Sequence, residues 1–91
     1  PDLYVPDAFT PNGDGRNDAF RPIPIGIKEL YFFKVYNRRG ELIFSTNVQK
    51  VGWDGTFKGS PQDADIYVWM AKGIDYLGKP VFKKGSVALI R

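Results

Sequence analysis

The sequence predicts an all-β protein, a single Ig-like antiparallel β-sandwich of about seven short strands that occupies residues 1–91 as one domain. Three observations favour this fold. The longest window without glycine or proline is residues 27–39, so long helices have little room. The chain contains 2 Trp, 5 Tyr and 7 Phe in 91 residues, and aromatic residues favour strands. Most of the acidic residues are Asp, which suits turns better than helices.

Residues 27–39 are interpreted as a strand, because a helix would place Lys34 within its apolar stripe. In the strand, one face carries Tyr31, Phe33 and Val35, and the opposite face carries Leu30, Phe32 and Tyr36. The Asn37–Gly40 segment then predicts a short turn, with glycine where a positive φ is needed. Leu42, Ile43 and Phe44 resume the apolar run, which completes a hairpin.

Residues 66–71 form the strongest strand pattern of the chain. Asp63, just before this segment, and Tyr67 within it have the spacing of a tyrosine corner, in which the Tyr hydroxyl bonds to upstream backbone. Trp69 would then project into the core two residues later. The remaining strands are predicted at residues 3–5, 20–23, 81–82 and 86–90, with turn signals every ~8–12 residues, as in sandwiches.

Composition excludes several classes of function. Cysteine and histidine are absent, which removes disulfides, zinc sites and catalysis by either residue type. The sequence shows no activated serine and no paired carboxylates, so an enzyme is not expected. The net charge of +3 is small and spread along the chain, which argues against nucleic acid as a partner. Apolar runs fall short of the ~20 residues of a membrane-spanning helix, so the chain is not expected to span a membrane.

Three stretches exceed what a generic sandwich requires. They are AFTPNGDGRNDAF at residues 8–20, VYNRRGELIF at residues 35–44, and WDG at residues 53–55 together with IYV at residues 66–68 and GSVALIR at residues 85–91. Together they resemble the gliding motility-associated C-terminal domain, a CHU_C-like type B sorting domain of proteins exported by the type IX secretion system. Arg39 stands where that family usually has Trp.

The resemblance implies a non-catalytic C-terminal sorting signal. Such a signal directs an N-terminal cargo in the same chain across the outer membrane, with the periplasm as a transit compartment and the cell surface or medium as the destination. The implied partners are the type IX translocon and an outer-membrane protein of the PorP/SprF type.

An extracellular Ig-like adhesion or carbohydrate-binding module is the alternative. Sugar binding needs an exposed aromatic platform beside polar groups. Trp53 and Tyr76 are the aromatic residues next to turns that could supply it. The exposure of Trp53 distinguishes the two interpretations.

Residues 12–18 suggest calcium, because Asn12, Asp14 and Asp18 carry the short oxygen side chains that this ion prefers. The register of an EF-hand loop is incomplete, since it places Thr10 at the first position and Arg21 at the twelfth. A structural turn, in which the same side chains accept backbone hydrogen bonds, explains the pattern without a cation. No other cofactor is predicted.

Recognition by the translocon is expected to fall on exposed residues that packing does not require. The candidates are Arg16 in the 12–18 loop, Arg38 and Arg39 in the predicted turn, and Ile90 and Arg91 at the end of the chain. Arginine suits this role because its guanidinium makes forked contacts to carboxylates.

Overall fold

The computed structural model describes residues 2–11 and 19–91. These residues form nine strands and no helix, which confirms the all-β class. The strands are β1 Asp2–Tyr4, β2 Ala8–Phe9, β3 Ile23–Ile25, β4 Ile27–Tyr36, β5 Leu42–Thr46, β6 Thr56–Phe57, β7 Ser60–Pro61, β8 Asp65–Asp75 and β9 Pro80–Leu89. Within these ranges no helix is long and apolar enough to cross a membrane.

A five-stranded sheet with the order β2-β9-β8-β4-β5 is the main layer. Its long strands pair antiparallel, as the hairpin pattern predicts. The short β2 differs, because it runs parallel to the end of β9, with Ala8 opposite Ala88 and Phe9 opposite Leu89. A parallel pair needs a long connection between its strands, and here most of the chain lies between them. This closure joins the beginning of the domain to its end.

The second layer consists of the β1/β3 and β6/β7 ribbons and the segments between them. Phe20 and Trp53 exchange two backbone hydrogen bonds of 2.8 Å, which fixes two connecting segments to each other. Their side chains are fully buried and pack with Phe9, at ring-centroid distances of 5.6 Å for Phe20 and 5.4 Å for Trp53. The Phe20 ring continues to Phe33 of β4, 5.3 Å away. The core is therefore a chain of aromatic rings that joins the two layers.

The inner face of β4 matches the prediction only in part. Phe33 and Val35 are buried as expected, but Leu30 is 4% exposed and Tyr31 is 44% exposed, so the predicted faces of Leu30 and Tyr31 are wrong. The register with β8 shifts between Leu30 and Phe32. Such a bulge adds a residue and reverses the alternation on one side of it. A strict period of two cannot show this from the sequence.

The predicted tyrosine corner is confirmed. The Tyr67 hydroxyl donates to the Asp63 carbonyl oxygen at 2.7 Å. Trp69, two residues later, is buried on the inner face and lies over Gly85 of β9. A Cβ at Gly85 would lie 3.0 Å from the indole ring, so the absence of a side chain there makes room for it.

Candidate functional site

The Asn37–Glu41 turn presents two arginines at one end of the sheet. The Asn37 side-chain oxygen accepts hydrogen bonds from the backbone N–H groups of Arg39 and Glu41, both at 3.0 Å. Gly40 has φ of 83°, as the hairpin pattern requires. Arg38 and Arg39 occupy the tip, and the Arg38 side chain is 73% exposed. The turn is therefore held by Asn37 and Gly40, and the arginines are not needed to form it.

A cleft of about 500 Å³ lies beneath this tip. One wall is the turn itself, and the other is the segment that leads into β8. The lining residues are Asn37, Arg38, Arg39, Gln62, Asp63, Asp65 and Tyr67. Arg38 Nη1 reaches Asp65 Oδ1 across the cleft at 3.5 Å, a long and exposed ion pair that adds little stability. Within residues 2–11 and 19–91, this is the side-chain contact that the two arginine side chains make, so they can offer further donors to a partner.

Tyr67 forms the inner part of the cleft. Burial raises the pKa of its hydroxyl above the ordinary value, and the nearby Asp65 and Asp63 carboxylates raise it further. The hydroxyl therefore stays protonated near neutral pH and keeps its bond to the Asp63 carbonyl. This bond holds the wall of the cleft that faces the arginines.

Arg91 holds the same wall from its other side. Its Nε donates to the Gln62 carbonyl oxygen at 2.7 Å, and its Nη2 donates to the Gly55 carbonyl oxygen at 3.0 Å. The Gly55 carbonyl also accepts from the Gln62 backbone N–H at 2.8 Å. The sequence predicts a recognition role for Arg91. The structure gives its guanidinium an internal role, because it joins the β6 turn to the segment before β8.

The Trp53-Asp54-Gly55 motif explains why Arg91 can do this. The Trp53 indole N–H donates to the Thr56 carbonyl oxygen, and Asp54 accepts from the Thr56 backbone and hydroxyl, which closes a tight turn. Gly55 has φ of 86°, and a Cβ there would lie 3.0 Å from Pro11 Cγ and 3.2 Å from Arg91 Nη2. Glycine is therefore required by both the backbone and the space.

Trp53 is 1% exposed, so it cannot serve as the sugar-stacking platform considered above. The other candidate, Tyr76, is 72% exposed but lies on a different turn. The two aromatic residues therefore do not form a joint surface.

Ile90 is half exposed and follows β9 at the same end of the molecule. Its backbone N–H donates to the Phe9 carbonyl oxygen at 3.0 Å, which extends the parallel pairing by one residue. The structure thus brings Arg38, Arg39, Ile90 and Arg91 to one end. We call the two tip arginines with the cleft beneath them the arginine end.

Asn12, Asp14, Arg16 and Asp18 lie outside the described residues, so their predicted roles are not compared with geometry. Within the described ranges, no group of three or more acidic, Cys or His side chains could hold a metal ion. Sequence reasoning missed Gln62 as part of the cleft wall. Its position depends on the contacts of Arg91 and Gly55, which are distant in the sequence.

A family model, the CHU_C type IX secretion signal domain, matches residues 3–89. The chain belongs to this family. The match spans the arginine turn, the Trp53–Gly55 motif and the tyrosine corner, and it confirms the resemblance drawn from the sequence motifs. As a type IX secretion signal domain, the chain has a sorting role that involves the secretion system and implies export across the outer membrane. The search of curated proteins gave no match.

Proposed function

We propose that this domain is a non-catalytic sorting signal that carries a fused N-terminal cargo through the type IX secretion system. The cargo passes through the periplasm and reaches the cell surface or the medium. The observation that carries the proposal is the family match over residues 3–89. In addition, the chain presents two arginines above a cleft, and its turn does not need them to form.

The arginine end is the proposed contact with the translocon, with an outer-membrane protein of the PorP/SprF type as the expected partner. Arg38 and Arg39 are exposed on a turn whose backbone is already held by Asn37 and Gly40, so docking orders their side chains but not the turn. A cationic tip also speeds encounter with an acidic receptor surface, and arginine forks bind carboxylates in a defined orientation. Ile90 adds apolar surface beside this tip, and Arg91 shapes the cleft wall.

A reporter fusion tests the proposal. The 91 residues are fused, behind a Sec signal and a reporter, in a host that has a type IX system. We expect the reporter to appear at the surface or in the medium. Arg38→Glu combined with Arg39→Glu should reduce export while the domain remains folded, because exposed substitutions usually change stability by about 0.5 kcal/mol or less.

Lys50→Glu combined with Lys79→Glu is the matched control. Both lysines are exposed and lie away from the cleft, and the change in net charge is the same. Normal export of the control variant together with reduced export of the arginine variant supports the arginine end as the contact. Equal export of both variants, each folded, would show that the receptor reads another surface. A reporter retained in the periplasm with the unaltered domain would contradict the sorting role itself.

The two interpretations of Asn12, Asp14 and Asp18 are distinguished by melting the domain in calcium and in chelator. A calcium site with ion at 100 times its dissociation constant stabilises the fold by about 2.7 kcal/mol. For a domain of this size the melting temperature then rises by roughly 10–20 °C, and Asp14→Ala removes the rise. An unchanged melting temperature supports the structural turn. Arg16 is tested for recognition in the same export assay, as Arg16→Glu.

A further inference from the structure

The outer face of the five-stranded sheet is covered by neither ribbon of the second layer. Three central strands contribute residues that alternate with the buried ones and therefore point away from the core. They are Phe32, Lys34 and Tyr36 of β4, Ile66, Val68, Met70, Lys72 and Ile74 of β8, and Phe82, Lys84, Ser86 and Ala88 of β9. These positions include three lysines, and Glu29 of β4, opposite Ile74, adds one carboxylate at one end of the same face. We call this surface the lysine face.

The strand register gathers the three lysines around one methionine. Met70 lies directly opposite Lys34 on one side and opposite Lys84 on the other, and Lys72 follows two residues later on the same face. Strands in a sheet lie about 4.8 Å apart, so the backbones of Lys34 and Lys84 are about 10 Å apart. This separation slightly exceeds the Debye length of about 8 Å at physiological salt, so repulsion between these two exposed lysines is largely screened.

Within the described residues, ion pairing does not stabilise this arrangement. Among the described residues, the ion pairs join Arg38 to Asp65 and Lys83 to Asp2, and neither lies on the lysine face. Lys34 Nζ lies 4.8 Å from the centroid of the Phe32 ring, a cation–π contact that partly stabilises one of the three ammonium groups. The face therefore carries a net positive charge, to which a partner surface that supplies carboxylates is complementary.

We propose that the lysine face docks a flat, apolar protein surface with carboxylates around it, on a component of the export machinery. This inference rests on the proposed function and adds a second contact to the arginine end. Charge complementarity selects the partner. A second copy of the chain, packed face to face, would bring the same three lysines together and be repelled.

The shape of the face also favours a protein over a membrane. Phe32 and Tyr36 are half buried among their neighbours, and Val68 and Phe82 are about half exposed. These side chains stand side by side on neighbouring strands of one sheet. An apolar sheet face with cations among its residues is complementary to the face of another folded protein.

The test is a graded charge series in the export assay, with the complete domain and its cargo. Lys34→Glu combined with Lys84→Glu should lower export by about tenfold, since electrostatic attraction mainly sets the rate of encounter. The corresponding Gln pair should cause a smaller loss, and the Arg pair should export normally. Lys50→Glu with Lys79→Glu is again the matched control and should export normally.

Each outcome bears on the inference. If the unaltered domain exports the reporter and the Glu pair does so equally, the lysine face is not a contact and the inference is overturned, while the proposed function stands. If the unaltered domain is not exported, the proposed function fails first. If the Glu pair does not fold, the Gln pair decides, because it removes the charges without adding new ones. Normal export of a folded Gln pair then overturns the inference.

Lipid is tested separately with vesicles of phosphatidylglycerol. The inference expects no co-sedimentation that depends on Lys34 and Lys84. Charge-dependent binding to these vesicles, lost in the Gln pair, would assign the face to a membrane surface and overturn the protein partner.

Discussion

Two turns of this domain have the same pattern of hydrogen bonds, but the residues at their tips differ in chemistry. In the Asn37–Glu41 turn and the Asp75–Lys79 turn, a side-chain oxygen of the first residue accepts from the backbone N–H groups two and four positions later. In each, the fourth residue is a glycine, with φ of 83° at Gly40 and 82° at Gly78. The first tip is Arg38-Arg39, and the second is Tyr76-Leu77.

The comparison separates what the fold requires from what it leaves free. Both turns begin with an Asn or Asp and have a glycine three residues later, and their other three residues differ in type. The two tip positions accept cationic side chains in one case and exposed apolar side chains in the other. The chemistry of a tip is therefore available for function, and the arginine tip is the one that lies above a cleft.

The anchors of the two turns differ in burial, and this gives the largest expected effect. Asp75 is 3% exposed, whereas Asn37 is partly exposed. Asp75→Ala should cost about 2–3 kcal/mol, because two N–H groups lose their acceptor in a partly buried site. Asn37→Ala should cost about 1 kcal/mol, since water can replace the acceptor. Denaturant titrations of both variants measure the difference, and equal losses would contradict the role of burial.

Hydrogen bonds outside the Asn37–Glu41 turn also hold the arginine end, and those of Arg91 give the next largest expected effect. Arg91→Ala removes the bonds to the Gln62 and Gly55 carbonyls and should cost about 1 kcal/mol, because the site is largely exposed and water can replace the guanidinium. Arg91→Lys should recover little, since an ammonium cannot present the same two donors in a fixed plane. Amide exchange at Gln62 should accelerate in both variants, while exchange at Leu77 and Lys79 stays unchanged. Unchanged exchange at Gln62 would show that Arg91 does not hold the cleft wall.

Local sequence patterns predicted the parts of the arginine end that depend on neighbouring residues. The Asn37–Gly40 turn and the tyrosine corner of Tyr67 were both predicted, because four or five consecutive residues determine each of them. The same pattern, an Asp followed three residues later by glycine, also identifies Asp75 as the anchor of a turn.

Long-range contacts explain what the sequence did not show. The contact of Arg91 with Gly55 spans 36 residues, and no local pattern specifies it. The parallel pairing of β2 with β9 closes the domain over most of its length, and likewise has no hairpin signal. The bulge near Leu30 depends on how β8 accommodates β4, so it inverted the predicted face of Tyr31.

The contribution of the Tyr67 hydroxyl to the stability of the arginine end should depend on pH. Tyr67→Phe should cost about 1 kcal/mol near neutral pH, because the bond to the Asp63 carbonyl is lost. The pKa of Tyr67 is raised in the folded state, so the unfolded chain releases its proton first as the pH rises. The stabilising contribution is thus complete below about pH 10 and declines above it. Unfolding curves of the two proteins should therefore converge at alkaline pH. A constant difference across pH 8–11 would exclude this role.

Exchanging the tips should have the smallest effect on stability and the most specific effect on function. Arg38→Tyr with Arg39→Leu gives the first turn the tip of the second, and Tyr76→Arg with Leu77→Arg does the reverse. Both turns keep their anchor and their glycine, so each double variant should stay within about 0.5 kcal/mol per substitution of the parent. Export of a fused reporter should fall for the first variant and stay normal for the second. It should stay low when both exchanges are combined, because the arginines then lie at the wrong end, away from Asp65 and Tyr67. Export restored by the combined variant would mean that the translocon detects net charge and not the arginine end. A large loss of stability in either variant would show that the tips do contribute to the fold, and would break the comparison from which the recognition role was inferred.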